Sequence, residues 1–178
     1  MSRDDAITLS LTAAEAEARC ADIAKQSRSA SHTLAALTAL ESFVAATATP
    51  EHKFTPAYEA VKTTIARHAG AARERILEES TEALAAALRQ KDRAEITRIH
   101  GALSRNGFWQ AATGAIRRLA AGDRAAAADW AERWCADAKA KAQAASGYPD
   151  ALDFRKAGIA PAEFAAMRDI STYLDDAP

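Results

Sequence analysis

The side chains that could act in catalysis or metal binding are few and widely spaced in this sequence. None of the histidines has a glutamate three residues before it, which excludes the Glu-x-x-His pattern of di-iron bundles. The chain also lacks a His-Glu-x-x-His motif, a paired Cys-x-x-Cys motif, a glycine-rich phosphate loop and a Gly-x-Ser-x-Gly elbow. The sequence therefore predicts no catalytic residue, metal centre or cofactor site, and it favours a protein that is not an enzyme. The residues considered are His32, His52, His68, His100, Cys20 and Cys135.

A helical histidine can also accept a phosphoryl group. In histidine phosphotransfer domains, an exposed histidine is followed closely by lysine and glycine. His100 is followed by glycine but not by that lysine, and His32 is followed by neither. We therefore interpret His100 as a surface or half-buried structural residue, and His52, which lies in a predicted loop, as a solvated one.

A basic segment departs from the balanced charge of the whole chain. The chain has 23 Lys and Arg residues and 24 Asp and Glu residues, a formal net charge of −1, which excludes binding to polyanions by bulk charge alone. Residues 89–124, however, contain eight cations and three acids, a local charge of +5. This segment is the place where the sequence favours contact with an anionic partner.

The basic segment resembles a helix-turn-helix. A predicted helix leads into residues 104–107 (Ser-Arg-Asn-Gly), and a second one opens at residues 108–110 (Phe-Trp-Gln). In that motif the second helix enters the major groove of DNA and presents its first residues to base edges. The alternative is a helical hairpin whose cations are solvated and balanced by acids elsewhere, such as Glu74, Glu78, Glu79 and Glu82. The resemblance implies that Arg105, Asn106 and Gln110 read bases or phosphates. It also implies that Arg117 and Arg118 contact phosphates.

Three tryptophans can serve either a binding surface or the core. Trp is over-represented among the residues that dominate binding energy at interfaces. Only 6% of the residues are aromatic, however, so large rings are needed to close a core. We therefore assign Trp130 and Trp134 to the core and leave Trp109 open between core packing and partner binding. The main core is expected after residue 107, where most large side chains lie: Phe108, Trp109, Trp130, Trp134, Phe154, Phe164 and Tyr173.

The N-terminus and the hydropathy pattern bear on location. Residues 1–7 carry two acids and no apolar run typical of a signal peptide. No stretch approaches the ~20 apolar residues of a membrane span. The sequence therefore predicts a cytoplasmic protein without membrane contact, in which Cys20 and Cys135 stay reduced.

Alanine, the residue with the highest helix propensity, makes up about a quarter of the chain. No segment alternates apolar and polar residues over the length of a strand. We therefore expect an all-α fold, an irregular multi-helix bundle of about eight helices with no sheet. Helix starts are expected at Thr12, Thr55-Pro56, Asp92 and Asp123, and stops at Gly107, Gly122, Gly147 and Gly158. The predicted helices cover 12 to about 26, 31–46, 56–90, 93–106, 108–121, 124–145, 151–157 and 161–174.

The helix over 56–90 is predicted to be long and central. Apolar and small residues recur along it at a period of about 3.67 residues, which a nearly straight helix can hold over a long distance. Gly70 is its one interruption, and a break there is the alternative. A stripe of small residues also suits close docking of a second helix, so self-association is expected through it. The expected stripe is Val61, Ile65, Ala69, Ala72, Ile76, Ser80, Ala83 and Ala87.

These patterns divide the chain into an N-terminal helical hairpin over 10–46 and a main helical bundle over 55–178, which can also form one continuous domain. The leading functional hypothesis is a protein-protein interaction module that acts as an adaptor, regulator or assembly component. The alternative is a nucleic-acid-binding regulator that uses the helix-turn-helix-like segment at 93–121.

Overall fold

The fold of the described residues is entirely helical. The computed structural model describes residues 11–175 and shows seven α-helices, one short 3₁₀ helix and no strand in that range. The all-α prediction is confirmed for this part of the chain. Residues 1–10, which include the acidic N-terminus and Ser10 of the predicted hairpin, and residues 176–178 lie outside it. In chain order the helices are α1 (Ala13–Gln26), α2 (Ala30–Thr47), the 3₁₀ helix (His52–Phe54), α3 (Pro56–Gln90), α4 (Arg93–Asn106), α5 (Gln110–Arg117), α6 (Ala121–Ser146) and α7 (Pro161–Asp175).

Contacts divide the chain into two compact units, Met1–Ile76 and Leu77–Pro178. The dividing point lies inside α3, which supplies residues to both units. The first unit contains α1, α2 and the first part of α3, and the second contains the rest of α3 and α4 to α7. The predicted organisation into 10–46 and 55–178 stays a prediction about how the chain folds.

The first unit has a core of its own. The capping box predicted at its start is present: Thr12 Oγ1 accepts from Glu15 N at 3.2 Å, and Thr12 N donates to Glu15 Oε2 at 2.8 Å. Phe43, on α2, is 49% exposed. The buried side chains come from all three helices and include Cys20, Leu37, Leu40, Val44, Tyr58, Val61 and Ile65.

Helix α3 is continuous, as predicted, and Gly70 does not break it. In its first part the predicted stripe is correct, since Val61, Ile65 and Ile76 are buried. In its second part the stripe is only partly correct, because Ala87 is buried but Ala83 is exposed, and residues outside the stripe are buried as well. Buried residues in the second part include Thr81, Leu84, Ala85 and Leu88.

Helix α5 is shorter than predicted. It ends at Arg117 rather than at Ala121, because Leu119 N bonds to Ile116 O in a 3₁₀-type turn and Ala120 is extended. Helix α6 then starts at Ala121, so Gly122 lies in its first turn and does not stop a helix. Asp123 is not the N-cap that we expected, but in the first turn its carboxylate still complements the helix dipole.

The predicted short helix over 151–157 is absent and is replaced by turns. Asp153 accepts from Lys156 N at 2.8 Å through its side chain and from Ala157 N at 3.1 Å through its backbone carbonyl. This local bonding closes a single turn, and Gly158, at φ +75°, ends it in the left-handed region.

In the second unit the core is built from aliphatic residues as much as from rings. Trp134 is fully buried and stacks on half-buried Trp130 with ring centroids 5.2 Å apart, and the Arg93 guanidinium lies 5.5 Å from the Trp134 ring centre. Phe154 and Phe164 are paired at 4.4 Å but only half-buried. Trp109, which the sequence left open between core packing and partner binding, is 49% exposed. The aliphatic core includes Leu88, Ile96, Ile116, Met167 and Ile170.

Candidate functional site

The corner between α4 and α5 carries most of the binding residues that the sequence suggested. Gly107 ends α4 at φ +72°, its N–H donates to Ser104 O, and Phe108 N donates to Leu103 O at 3.0 Å. These bonds form a Schellman motif, which turns the chain sharply. Phe108 and Leu103 are both buried, so the turn is anchored and the next residue, Trp109, is placed at the surface.

Trp109 is the most prominent side chain of this corner, with 49% of its surface exposed. On α5, exposed Gln110 and Arg117 are seven residues apart and so lie on one face, with half-exposed Thr113 between them. Arg105, in the last turn of α4, is exposed as well. We call the set of Arg105, Trp109, Gln110 and Arg117 the corner surface.

Two of the suggested binding residues are engaged within the chain. Asn106 donates from Nδ2 to the carbonyl of Ala102 at 2.8 Å, one turn back on α4. Arg118 forms a salt bridge with Glu82 on α3. Of the suggested polar residues, Arg105, Gln110 and Arg117 are therefore more available to a partner than Asn106 and Arg118.

The basic segment is partly neutralised. Besides the pair of Arg118, Arg98 lies against Glu95, and Arg93 lies 3.5 Å from Asp137 on α6. Exposed pairs of this kind contribute only about 0–1 kcal/mol each, but they lower the local positive potential. The alternative interpretation of the segment, in which its cations are balanced by acids elsewhere, gains support from the pairs of Arg118 and Arg93, whereas Glu95 lies inside the segment and is already counted in its charge of +5.

The packing of α5 on α3 explains which face of α5 is free. Thr81 Cγ2 lies 3.2 Å from the position that a Cβ on Gly114 would occupy, and Thr81 Oγ1 donates to Ala111 O at 3.5 Å. A side chain at residue 114 would therefore push the two helices apart. The close approach buries this side of α5 and leaves Gln110 and Arg117 outward.

His100 was expected at or near the surface, but it is buried, with 2% of its surface exposed. Its Nε2 lies 3.2 Å from Asp169 Oδ2 on α7, and Arg168 donates to the other oxygen of the same carboxylate at 2.8 Å. The contact with Asp169 is an ion pair only when the ring is protonated, and neither ring nitrogen has a partner with hydrogen-bond geometry among the described residues. A clue was available in the sequence, because His100 falls in register with Ile96 and Leu103 on the buried face of α4.

Burial lowers the pKa of His100, the Asp169 carboxylate opposes that effect, and Arg168 adds a smaller lowering. The neutral ring is therefore favoured inside the protein, since burial penalises the charged form. With so little of its surface exposed, His100 cannot meet a substrate in this structure. We assign it a structural role.

The interpretation of His52 as solvated is wrong. The ring is buried, with 6% of the residue surface exposed, and its Nδ1 accepts a hydrogen bond from Thr49 N at 3.1 Å. The loop folds into a 3₁₀ turn, and this turn places the His52 ring in a buried position. His52 therefore holds the connection between α2 and α3.

Within residues 11–175, no group of three or more His, Cys, Asp or Glu side chains could hold a metal ion. Both cysteines are free; Cys20 is buried and Cys135 is half-buried. None of the helices in the same range has the length and apolar character needed to cross a membrane. Comparison of the chain with family models, curated proteins and solved structures finds no match.

Proposed function

We propose that the chain is a non-enzymatic helical protein-protein interaction module, acting in the cytosol as an adaptor, regulator or assembly component, and that the corner surface contacts its partner. The observation that supports this function is the exposure of Trp109. In a chain with 6% aromatic residues, an indole left 49% exposed costs apolar burial that the core would otherwise gain. Trp and Arg are the side chains most enriched in binding hot spots.

The position of Trp109 adds support. A rigid turn places the ring, so little side-chain or backbone order has to be gained on binding. Arg105, Gln110 and Arg117 can supply a polar rim around it. The small residues Ala69, Ala72 and Ala87 of α3 are buried within the chain itself, so the corner surface is the better-supported contact.

The test is an affinity purification of the tagged full chain from its native host at low salt, read by quantitative mass spectrometry. We expect a protein that is enriched by the wild type and reduced at least about tenfold by Trp109→Ala, the loss typical of a hot spot. Phe54→Ala is the matched control, because Phe54 is an exposed aromatic residue (89%) outside the corner surface. Recovery of no partner, or of a partner that Trp109→Ala retains fully, would contradict the proposal.

The second candidate function is nucleic-acid binding through α5. It is favoured by the outward face formed by Gln110, Thr113 and Arg117, which follows a turn as a recognition helix does. The helix is short, at eight residues, and the ion pairs described above reduce the charge of the segment.

Nucleic-acid binding has a distinct signature in salt. A protein held by phosphate contacts loses affinity steeply as salt rises, because binding releases counterions from the polymer. Replacing Arg105 and Arg117 with Ala should then weaken binding to every sequence, whereas Arg133→Ala, on an exposed part of α6, should not. A gel shift at low salt without any complex with duplex DNA or RNA would exclude this candidate.

A further inference from the structure

An open groove runs along the seam between α6 and α7. Two adjoining cavities of about 390 and 440 Å³ form it, and both have Glu132 and Ser171 in their walls. Half-buried Cys135 lies in the wall between the two ends of the groove. We call this the α6–α7 groove.

The charges along the α6–α7 groove are ordered by sign. On α6, Glu132 is followed seven residues later by Lys139, and on α7, Arg168 is followed seven residues later by Asp175. Seven residues are nearly two helical turns, so each pair lies on one helix face. At one end, residues 128–132 of α6 line the groove together with residues 171–175 of α7. At the other end, residues 132–139 of α6 line it together with residues 164–172 of α7, so the two helices run antiparallel. One end of the groove is therefore acidic and the other basic.

Two of the charges in the walls are already paired. Asp129 forms a salt bridge with Arg133, and Arg168 donates to Asp169 at 2.8 and 2.9 Å. The groove charges that have no ion pair among the described residues are Glu132, Lys139 and Asp175.

The pair of Glu132 and Lys139 on α6 and the pair of Arg168 and Asp175 on α7 are centred at the same place along the groove. In sequence, the midpoint between Glu132 and Lys139 falls beside Cys135, and that between Arg168 and Asp175 falls beside Ser171. Cys135 Sγ lies 3.9 Å from Met167 O, in the same part of the seam. Burial raises the pKa of the Cys135 thiol, a hydrogen bond with Ser171 and the charge of Lys139 lower it, and Asp175 raises it. The pKa of the Cys135 thiol therefore responds to charges from both the basic and the acidic end of the groove.

From this symmetry we propose that the α6–α7 groove binds a second copy of the chain across a two-fold axis that passes beside Cys135. A two-fold interface places the same patch of both copies face to face. The acidic end of each copy then meets the basic end of the other, with Glu132 opposite the partner subunit's Lys139. Small side chains at Ala128 and Ala136 allow the two α6 helices to approach closely.

The central test is charge reversal followed by sedimentation velocity of the full chain over a range of concentrations. We expect a dimer for the wild type. Glu132→Lys or Lys139→Glu alone should raise the dissociation constant about tenfold, because the axis applies each change twice. The double variant E132K/K139E should restore the dimer, since the reversed charges are again complementary between identical copies. If the groove instead bound a different protein, the double variant would not restore binding.

Controls and a second measurement make the test decisive. Lys141→Glu, on an exposed site of α6 outside the groove, and Trp109→Ala, on the corner surface, should leave the dimer unchanged. A short bismaleimide should link two wild-type chains through Cys135, whereas Cys135→Ser should abolish the link because Cys20 is buried. A wild-type monomer at all concentrations, or a dimer insensitive to both single reversals, would overturn the proposal. None of these results depends on whether the corner surface binds a partner.

Discussion

The buried pair of His100 and Asp169 joins two helices that the sequence places far apart. Asp169 is shared with Arg168, so its carboxylate is held in place on α7 while the imidazole approaches from α4. A buried histidine that must stay neutral makes stability depend on pH, because the unfolded chain is free to protonate it.

We therefore expect His100 to destabilise the protein in mild acid. Its pKa is lowered from the ordinary value of 6.5, so the unfolded state binds more protons as the pH falls through that value. His100→Gln removes this titration. The free energy of unfolding, measured in urea at about pH 7.5 and about pH 5.5, should fall less for the variant than for the wild type across this interval.

The control for this experiment is His32→Gln, at an exposed position on α2. It should keep the wild-type pH dependence. If the free energy of unfolding of His100→Gln fell between the two pH values as much as that of the wild type, the imidazole of His100 would titrate as freely in the folded protein as in the unfolded chain. That result would contradict its burial.

Two glycines should respond to alanine in opposite directions. Gly107 has φ +72°, where a Cβ is strained, so Gly107→Ala should lower the free energy of unfolding by about 1–2 kcal/mol. Gly70 lies inside α3 with no atom within 4 Å of an added Cβ, so Gly70→Ala should raise it by about 0.5–1 kcal/mol. Urea unfolding of both variants checks these signs, and destabilisation by Gly70→Ala would imply a packing or bending role for Gly70.

At the scale of elements, the contact between α5 and α3 depends on a missing side chain. We expect Gly114→Val to cost about 1–3 kcal/mol, because the added atoms would meet Thr81 and force the two helices apart. Gly122→Val is the matched control, since nothing lies within 4 Å of its added Cβ. Thermal unfolding followed by circular dichroism distinguishes them, and an equal melting temperature for the two variants would argue against the close approach.

Helix α3 shows how one element can serve two cores. In the first unit the expected stripe is buried, whereas in the second unit Ala83 of that stripe is exposed and residues such as Leu84 and Leu88 outside it are buried. Alanine is tolerated on either face, which lets the helix stay continuous while its neighbours change. The length of α3 thus follows from propensity, and its buried face from tertiary contacts.

For the whole molecule, substitutions of two tryptophans should separate the residues that stabilise the fold from those available for binding. Trp134→Ala removes a buried ring and should cost about 3–5 kcal/mol, a large share of the total stability of a typical domain. Trp109→Ala should change the free energy of unfolding by only about 0.5 kcal/mol, because half of the ring is already exposed. Chemical unfolding of the full chain measures both values, and a large loss in Trp109→Ala would place that ring in the core.

The sequence by itself determined the helices and most of their ends. Thr12, Asp92 and Gly107 act through bonds to residues three to five positions away, so their effect is readable from local spacing. The length of α3 was readable for the same reason. Propensity also failed locally at α5 and at residues 151–157, where a few turn-forming bonds ended or replaced a helix.

Only the tertiary structure decided which side chains are available. In an alanine-rich chain, several faces of each helix are nearly equally apolar, so the pattern does not single out the one that will be buried. The exposure of Trp109, the burial of His52 and His100, and the Arg118–Glu82 pair therefore depend on which helices pack together. The same holds for the α6–α7 groove, whose charge order appears only when the two helices are placed side by side.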